Sequence, residues 1–151
     1  MALDLPFVPI EWSERMNTGE AQIDIQHRYL VDTLCEANAK LLDDHDGALL
    51  AEIAKRLLNY AIMHFETEEA LMLRFCYAAA HPEVARTHIA QHREFSRQVV
   101  AVCDQLRENQ LVHSVVVLKY LNDWLRHHVL GIDQLLGAFV SNAKKADVLA
   151  D

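Results

Sequence analysis

The sequence predicts an all-α fold, an up-down-up-down four-helix bundle with an N-terminal arm. Three observations predict it. Pro6, Pro9 and Pro82 are the only prolines, and they lie in the first ten residues or in one internal connection, so two long stretches are free of helix breakers. Apolar residues recur at three- and four-residue steps in four separate runs. Short polar segments join these runs, as connections between antiparallel neighbours do. With 151 residues the chain makes one domain, able to bury about 70% of the surface its unfolded form exposes.

Residues 1–17 mix proline, tryptophan and acidic residues without helical period, and read as an arm packed on the bundle with Phe7 and Trp12 as anchors. The bundle itself is expected over 18–143. Its first helix begins near Glu20 and carries Ile23, Leu30, Leu34 and Leu41 on one stripe, with Tyr29 and Val31 beside it. Asp43, Asp44, His45, Asp46 and Gly47 interrupt the pattern, and Asp46 is the expected N-cap of the next helix. That second run passes through Leu50, Ile53, Leu57, Ala61, Phe65 and Met72 to Phe75. The segment CYAAAHP follows as a loop, with Pro82 suited to the first position of the third helix, where its missing N–H costs nothing. Val84, Ile89, Phe95, Val99, Val102 and Leu106 mark the third helix. After the polar RENQ turn, a single fourth helix is expected from Val115 through Leu118, Leu121, Leu125, Ile132, Leu135 and Leu136 to Val140. It fades into a C-terminal tail over 144–151.

Composition excludes several functions. Lys+Arg 14 against Asp+Glu 22 leaves a formal net charge of −8, so no nucleic-acid partner is expected. Cys35, Cys76 and Cys103 are odd in number and form no C-x-x-C, which supports neither a disulfide framework nor a zinc ribbon. The first residues carry no basic region ahead of an apolar stretch, and no apolar run reaches the length of a membrane span. A cytoplasmic protein without a membrane partner is expected.

The unusual feature is nine histidines, with at least one in every expected helix. His64 and Glu68 stand four apart in the second helix, and His88 and His92 four apart in the third, so each pair shares one face. An exposed pair of this kind is common decoration. These two, however, are in register with Ala61, Phe65 and Met72 and with Phe95 and Val99, on or beside the core-facing stripe. Burying them without partners would cost a few kcal/mol each. A metal ion is the natural partner of neutral imidazole and carboxylate. His27, His64, Glu68, His88, His92 and a group from the fourth helix are too many ligands for one tetrahedral zinc, and suit two metals. A zinc-protease motif H-E-x-x-H is absent, because Ile89 follows His88. A di-iron carboxylate oxidase needs Glu-x-x-His on two helices; no glutamate stands three residues before any histidine, and only Asp24 occupies that spacing, ahead of His27.

Four pieces together resemble the hemerythrin family in its single-domain bacterial form. They are Trp12 followed by Gly19 and Ile23-Asp24-Ile25-Gln26-His27; His64-Phe65-x-x-Glu68-Glu69-x-x-Met72; Pro82 leading to His88-x-x-x-His92-x-x-Phe95; and Trp124-Leu125-x-x-His128-Val129-x-x-x-Asp133. The family is itself a standard example of the up-down-up-down bundle, so here the resemblance and the fold prediction overlap. The resemblance implies two iron ions, one held by His88, His92 and His128 and the other by His27 and His64. Glu68, Asp133 and an oxo or hydroxo group would bridge them. His128 and Asp133, five apart, would diverge by about 140° on one continuous helix and so flank a metal pair. His45, His81, His113 and His127 read as exposed or loop histidines. The resemblance further implies an oxygen pocket lined by Leu30, Phe65, Trp124, Leu125 and Val129, facing an open position on the two-histidine iron.

The departure from the family pattern lies between Glu68 and His88, where Tyr77-Ala78-Ala79-Ala80-His81 lengthens the connection and should loosen it. The function implied is reversible dioxygen binding by a non-haem di-iron carrier, store or sensor, a binding protein rather than an enzyme. The alternatives are a di-iron peroxidase, oxidase or nitric oxide scavenger, and an iron-storage or iron-centre repair role. Dioxygen, nitric oxide or a small anion is the expected partner. Oligomeric state is left open, a monomer being favoured.

Overall fold

The computed structural model describes residues 5–43 and 47–150. Gly19, in the left-handed region at φ 91°, turns the chain into α1 (Ala21–Lys40), and the Glu20 carboxylate caps that helix by accepting from the Ile23 N–H at 2.9 Å. Asp24 in the first turn accepts from the Thr18 N–H, the Thr18 hydroxyl and the Gly19 N–H, which fixes the entry of the chain. After a 3-10 turn at Leu41–Asp43, α2 runs over Ala48–Arg74. Its cap is Gly47, at φ 77° and without a side-chain hydrogen bond, rather than the Asp46 expected from the sequence. Asp46, like His45, falls outside the described residues.

Cys76 reverses the chain at φ 58°, and the expected loop contains a one-turn helix, α3 (Tyr77–Ala80). This connection is anchored rather than loose: Tyr77 is buried, with its ring 5.0 Å from that of Phe139. Pro82 then opens α4 (Pro82–Arg107) at the position where its missing N–H has no helical acceptor to lose.

The fourth expected helix is two. α5 (Ser114–Leu130) stops at Gly131, whose φ −109° and ψ −99° leave the helical region, and α6 runs over Ile132–Ala150. A Cβ at Gly131 would stand 2.6 Å from the His127 carbonyl oxygen, so the break requires a residue without one. The restart shifts the phase of the apolar stripe. Asp133, Leu136 and Val140 turn inward, while Leu135, expected in the core, is 56% exposed. Helix also continues through 144–150, where the sequence suggested a fading tail.

α1 packs on α2 and α5, α2 on α4, and α4 on α5 and α6, closing an up-down-up-down bundle with no strand among the described residues. Two apolar clusters fill it. The larger includes Leu30, Leu34, Phe65, Phe95, Leu125 and Val129; the smaller includes Ile23, Met72, Tyr77, Ala85, Leu136 and Val140. Along α1, α2 and α4 the two are separated by one buried polar level. His27 lies between Ile23 and Leu30, Glu68 between Phe65 and Met72, and His88 and His92 between Ala85 and Phe95. The N-terminal segment lies against the larger cluster through Phe7 and Ile10. The Ile10 N–H donates to Asn122 Oδ1 at 2.8 Å, and the Cys35 thiol donates to the Ile10 carbonyl at 3.2 Å.

Candidate metal centre

Seven buried side chains meet at the polar level. α1 contributes His27; α2, His64 and Glu68; α4, His88 and His92; α5, His128; and α6, Asp133, each at most 3% exposed. The i,i+4 spacing puts both members of the α2 pair and of the α4 pair on the inward face. The break at Gly131 brings in Asp133. The expected 140° divergence from His128 assumed an unbroken helix; with the helix restarted, Asp133 Oδ1 lies 2.9 Å from His128 Nε2. Its place in the first turn of α6 also sets a carboxylate at the positive end of the helix dipole.

The donor atoms form two groups, each within 4.8 Å internally: Glu68, His88, His92, His128 and Asp133, and His27, His64, Glu68 and Asp133. Both carboxylates belong to both. Glu68 turns Oε1 to His64 and His27, at 3.4 and 3.9 Å, and Oε2 to His92 and His88, at 2.8 and 3.0 Å. Asp133 divides in the same way, Oδ2 lying 2.8 Å from His27 Nε2 and Oδ1 2.8 Å from His88 Nε2. These seven are the candidate ligands named from the sequence, and all of them converge.

A donor-set test favours a cation. His27 Nε2, His64 Nε2, His128 Nε2, Glu68 Oε1 and both Asp133 oxygens are buried and make no directed hydrogen bond, although several lie within 3 Å of one another. Atoms this close with poor hydrogen-bond direction are aimed at common points between them instead. In the protein alone, charge balance falls to the side chains. Burial would raise the Glu68 carboxyl, but the His64 charge and contacts from His128, His64 and His88 hold it well below its ordinary range. Burial and the Glu68 charge act upward on Asp133, and the nearby His128 and His27 outweigh them, leaving it depressed. Burial presses His128 and His88 downward; Asp133 and Glu68 reverse this, His128 rising to about 9 and His88 above its usual value. For His92 burial wins and the pKa is lowered.

Side chains to which the sequence assigned no role, Gln26 and Glu69 standing there only as motif positions, hold the imidazoles. Gln26 Oε1 and Gln91 Oε1 each lie 2.7 Å from a ring Nδ1, of His64 and His128 respectively, and Glu69 lies 3.4 Å from His92 Nδ1. Their partners are 23 to 38 residues away on other helices, so no local spacing signals them. Phe65 stacks on the His92 ring at 4.0 Å and Trp124 on the His128 ring at 4.3 Å. Asp24, by contrast, serves as the helix-entry acceptor described above.

Leu30, Phe65, Trp124, Leu125 and Val129 all line one narrow cavity that ends at His64, His128 and Asp133 and extends along the bundle to Leu34, Leu57 and Leu121. Its free volume is about 10 Å³, room for one very small molecule. His81, His113 and His127 are exposed, and the His127 Nδ1 donates to the Asp123 carbonyl at 2.7 Å. None of the described helices is long and apolar enough to cross a membrane.

A family model described as the hemerythrin HHE cation binding domain matches residues 18–140. The bacteriohemerythrin of Methylococcus capsulatus (strain Bath) is 29% identical over 132 residues, covering 83% of this chain and 89% of the relative. That of Stenotrophomonas maltophilia (strain R551-3) is 27% identical over 128 residues, covering 82% and 76%. A crystal structure of wild-type hemerythrin superposes with a TM-score of 0.78 over 89% of this chain and 99% of that one, at 20% identity, and shares the fold. With the model spanning most of the sequence, and histidines and carboxylates gathered in the bundle interior, the chain belongs to the hemerythrin family of HHE cation-binding domains.

Proposed function

We propose that this chain is a non-haem di-iron protein that binds dioxygen reversibly, as a carrier, store or sensor. The observation that carries the reading is the division of Glu68 and Asp133, each turning one oxygen toward a two-histidine side and the other toward a three-histidine side. Two cations would fit that division: His27 and His64 would hold one, His88, His92 and His128 the other, and Glu68 and Asp133 would serve both. When bound, a ferrous pair supplies two electrons and an open coordination position for a diatomic gas.

The chain's own residues do the rest. Five neutral imidazoles donate lone pairs, and two carboxylates bring negative charge into a site from which water's screening is absent. Phe65 and Trp124, stacked on His92 and His128, fix the planes of those rings. The two-histidine side has one donor fewer, and His64 from that side borders the apolar cavity. Leu30, Phe65, Leu125 and Val129 there exclude water and offer no proton. That lining favours release of an intact gas over its reduction, and so favours binding protein over enzyme.

The test is to load the metal-free chain with ferrous iron without air, admit oxygen, then return it to vacuum. A visible absorption change that reverses, with two irons per chain, is the expected result. Sustained consumption of a reductant in air would identify an oxidase, peroxidase or scavenger instead. Ready transfer of iron to an acceptor would point to storage or repair, and failure to retain iron would remove the reading altogether.

A further inference from the structure

We infer that Gln26, oriented by Thr67, is the positioning residue that fixes His64 as the Nδ1–H tautomer and so points its Nε2 lone pair into the two-histidine side of the centre. The inference rests on the two-metal reading above and adds a chain of hydrogen bonds whose direction can be deduced. The Thr67 hydroxyl donates its one proton to the Met63 carbonyl at 3.1 Å, the shorter of its two contacts with Met63. With its proton placed there the oxygen accepts from Gln26, whose Nε2 amide lies 3.0 Å away. The second Nε2 proton faces Met63 Sδ at 3.3 Å, so both amide protons are used. Gln26 Oε1 therefore faces His64 Nδ1 at 2.7 Å, and an oxygen there requires a proton on the nitrogen. Reversing the amide would set its oxygen 3.3 Å from a thioether with no proton to give, and would draw the Thr67 hydroxyl away from the Met63 carbonyl.

The other ends of this chain fit a positioning role. Gln26 is 7% exposed and His64 1%, so the contact is shielded from competing water. His64 Nε2 is left buried without a directed hydrogen bond, as a lone pair reserved for a cation would be. Gln91 accepts from His128 at the same distance, but of these two amides only that of Gln26 is oriented by a third side chain among the described residues. The control thus acts on the two-histidine side, where loss of one oriented imidazole removes a larger share of the donors.

The experiment titrates ferrous iron anaerobically into the metal-free chain and into Gln26→Leu, Gln26→Glu and Thr67→Val. Gln26→Leu should weaken one of the two binding steps by about 10- to 100-fold and leave the other unchanged. Gln26→Glu still accepts from Nδ1, and its second oxygen can take the Thr67 hydroxyl proton once that hydroxyl turns from the Met63 carbonyl, so it should recover most of the loss. Thr67→Val, a half-buried change that leaves the fold alone, should weaken the same step less. With zinc bound in place of iron, the His64 Nδ1 proton should appear in the imidazole nitrogen spectrum of the wild type and exchange faster with water in Gln26→Leu. Two unchanged steps, two equally weakened steps, or no rescue by Gln26→Glu would overturn the inference while leaving the metal centre standing. Wild-type protein that takes up no iron would overturn both.

Discussion

Gly131→Ala tests whether the break between α5 and α6 builds the centre. The new Cβ would meet the His127 carbonyl oxygen at 2.6 Å, a contact with backbone that no rotamer relieves. An alanine held at φ −109° and ψ −99° is strained by about 1–3 kcal/mol. The relief open to the chain is to continue α5 as helix. Asp133 would then stand about 140° around the axis from His128, and with side chains reaching 5–6 Å from that axis its carboxylate would move by roughly 10 Å. Both cation positions would lose a shared ligand. If strain persists instead at about 2 kcal/mol, a urea slope of about 2 kcal/mol/M lowers the midpoint by about 1 M. Iron per chain by elemental analysis and the urea midpoint of the metal-free protein read the two outcomes. Two irons retained with an unmoved midpoint would refute the reasoning, and a lower midpoint with both irons retained would show that α6 packing alone places Asp133.

Three further outcomes are expected. Removing iron should leave the helices but lower the melting midpoint, by roughly 10 °C for metal held at a thousand times its dissociation constant, which scanning calorimetry measures; an unmoved midpoint would contradict binding to the folded bundle. Leu125→Ser should keep two irons yet speed the loss of gas-binding capacity in air about tenfold, equivalent to about 1.4 kcal/mol, while the buried Leu136→Ala in the other apolar cluster should not; equal rates would remove Leu125 from the barrier to water. Burial presses the Glu20 carboxyl upward, but its contacts with Lys144 and the Ile23 N–H leave it depressed, so its stabilisation is present above about pH 4.5 and is lost as pH falls through the folded value. Glu20→Gln, which can still cap α1, should therefore cost about 0.5 kcal/mol at pH 7, with the difference from wild type closing at lower pH in urea titrations.

Much of the centre was legible because its signals are local. The pairs His64/Glu68 and His88/His92 announce themselves by four-residue spacing inside an apolar stripe, and burial without partners argues for metal. Asp133 was available only through resemblance, since its approach to His128 depends on Gly131 leaving the helical region, and one glycine inside an amphipathic run is equally consistent with unbroken helix. The exposed Leu135 is the same error seen from the other face. Gln26, Gln91 and Thr67 had no legible role for a different reason: the two amides act on imidazoles of other helices, Thr67 acts on the Gln26 amide, and such contacts leave no periodic mark. The connection around Tyr77 looked like excess chain because its aromatic anchor, Phe139, is far along the sequence.

The single polar level between two apolar clusters also acts as a register mark. A slide of one helix by a turn, 5.4 Å, would carry His27 to the height of Ile23 or Leu30, or Glu68 to that of Phe65 or Met72, and strand it among hydrocarbon. An all-apolar bundle would resist such slippage only through shape. Here each of the five long helices bears a tooth at the same height, so alignment is set inside the bundle rather than by its connections. Loop length is thereby released from control of the centre, and a segment such as 75–82 can lengthen without moving His88 relative to Glu68.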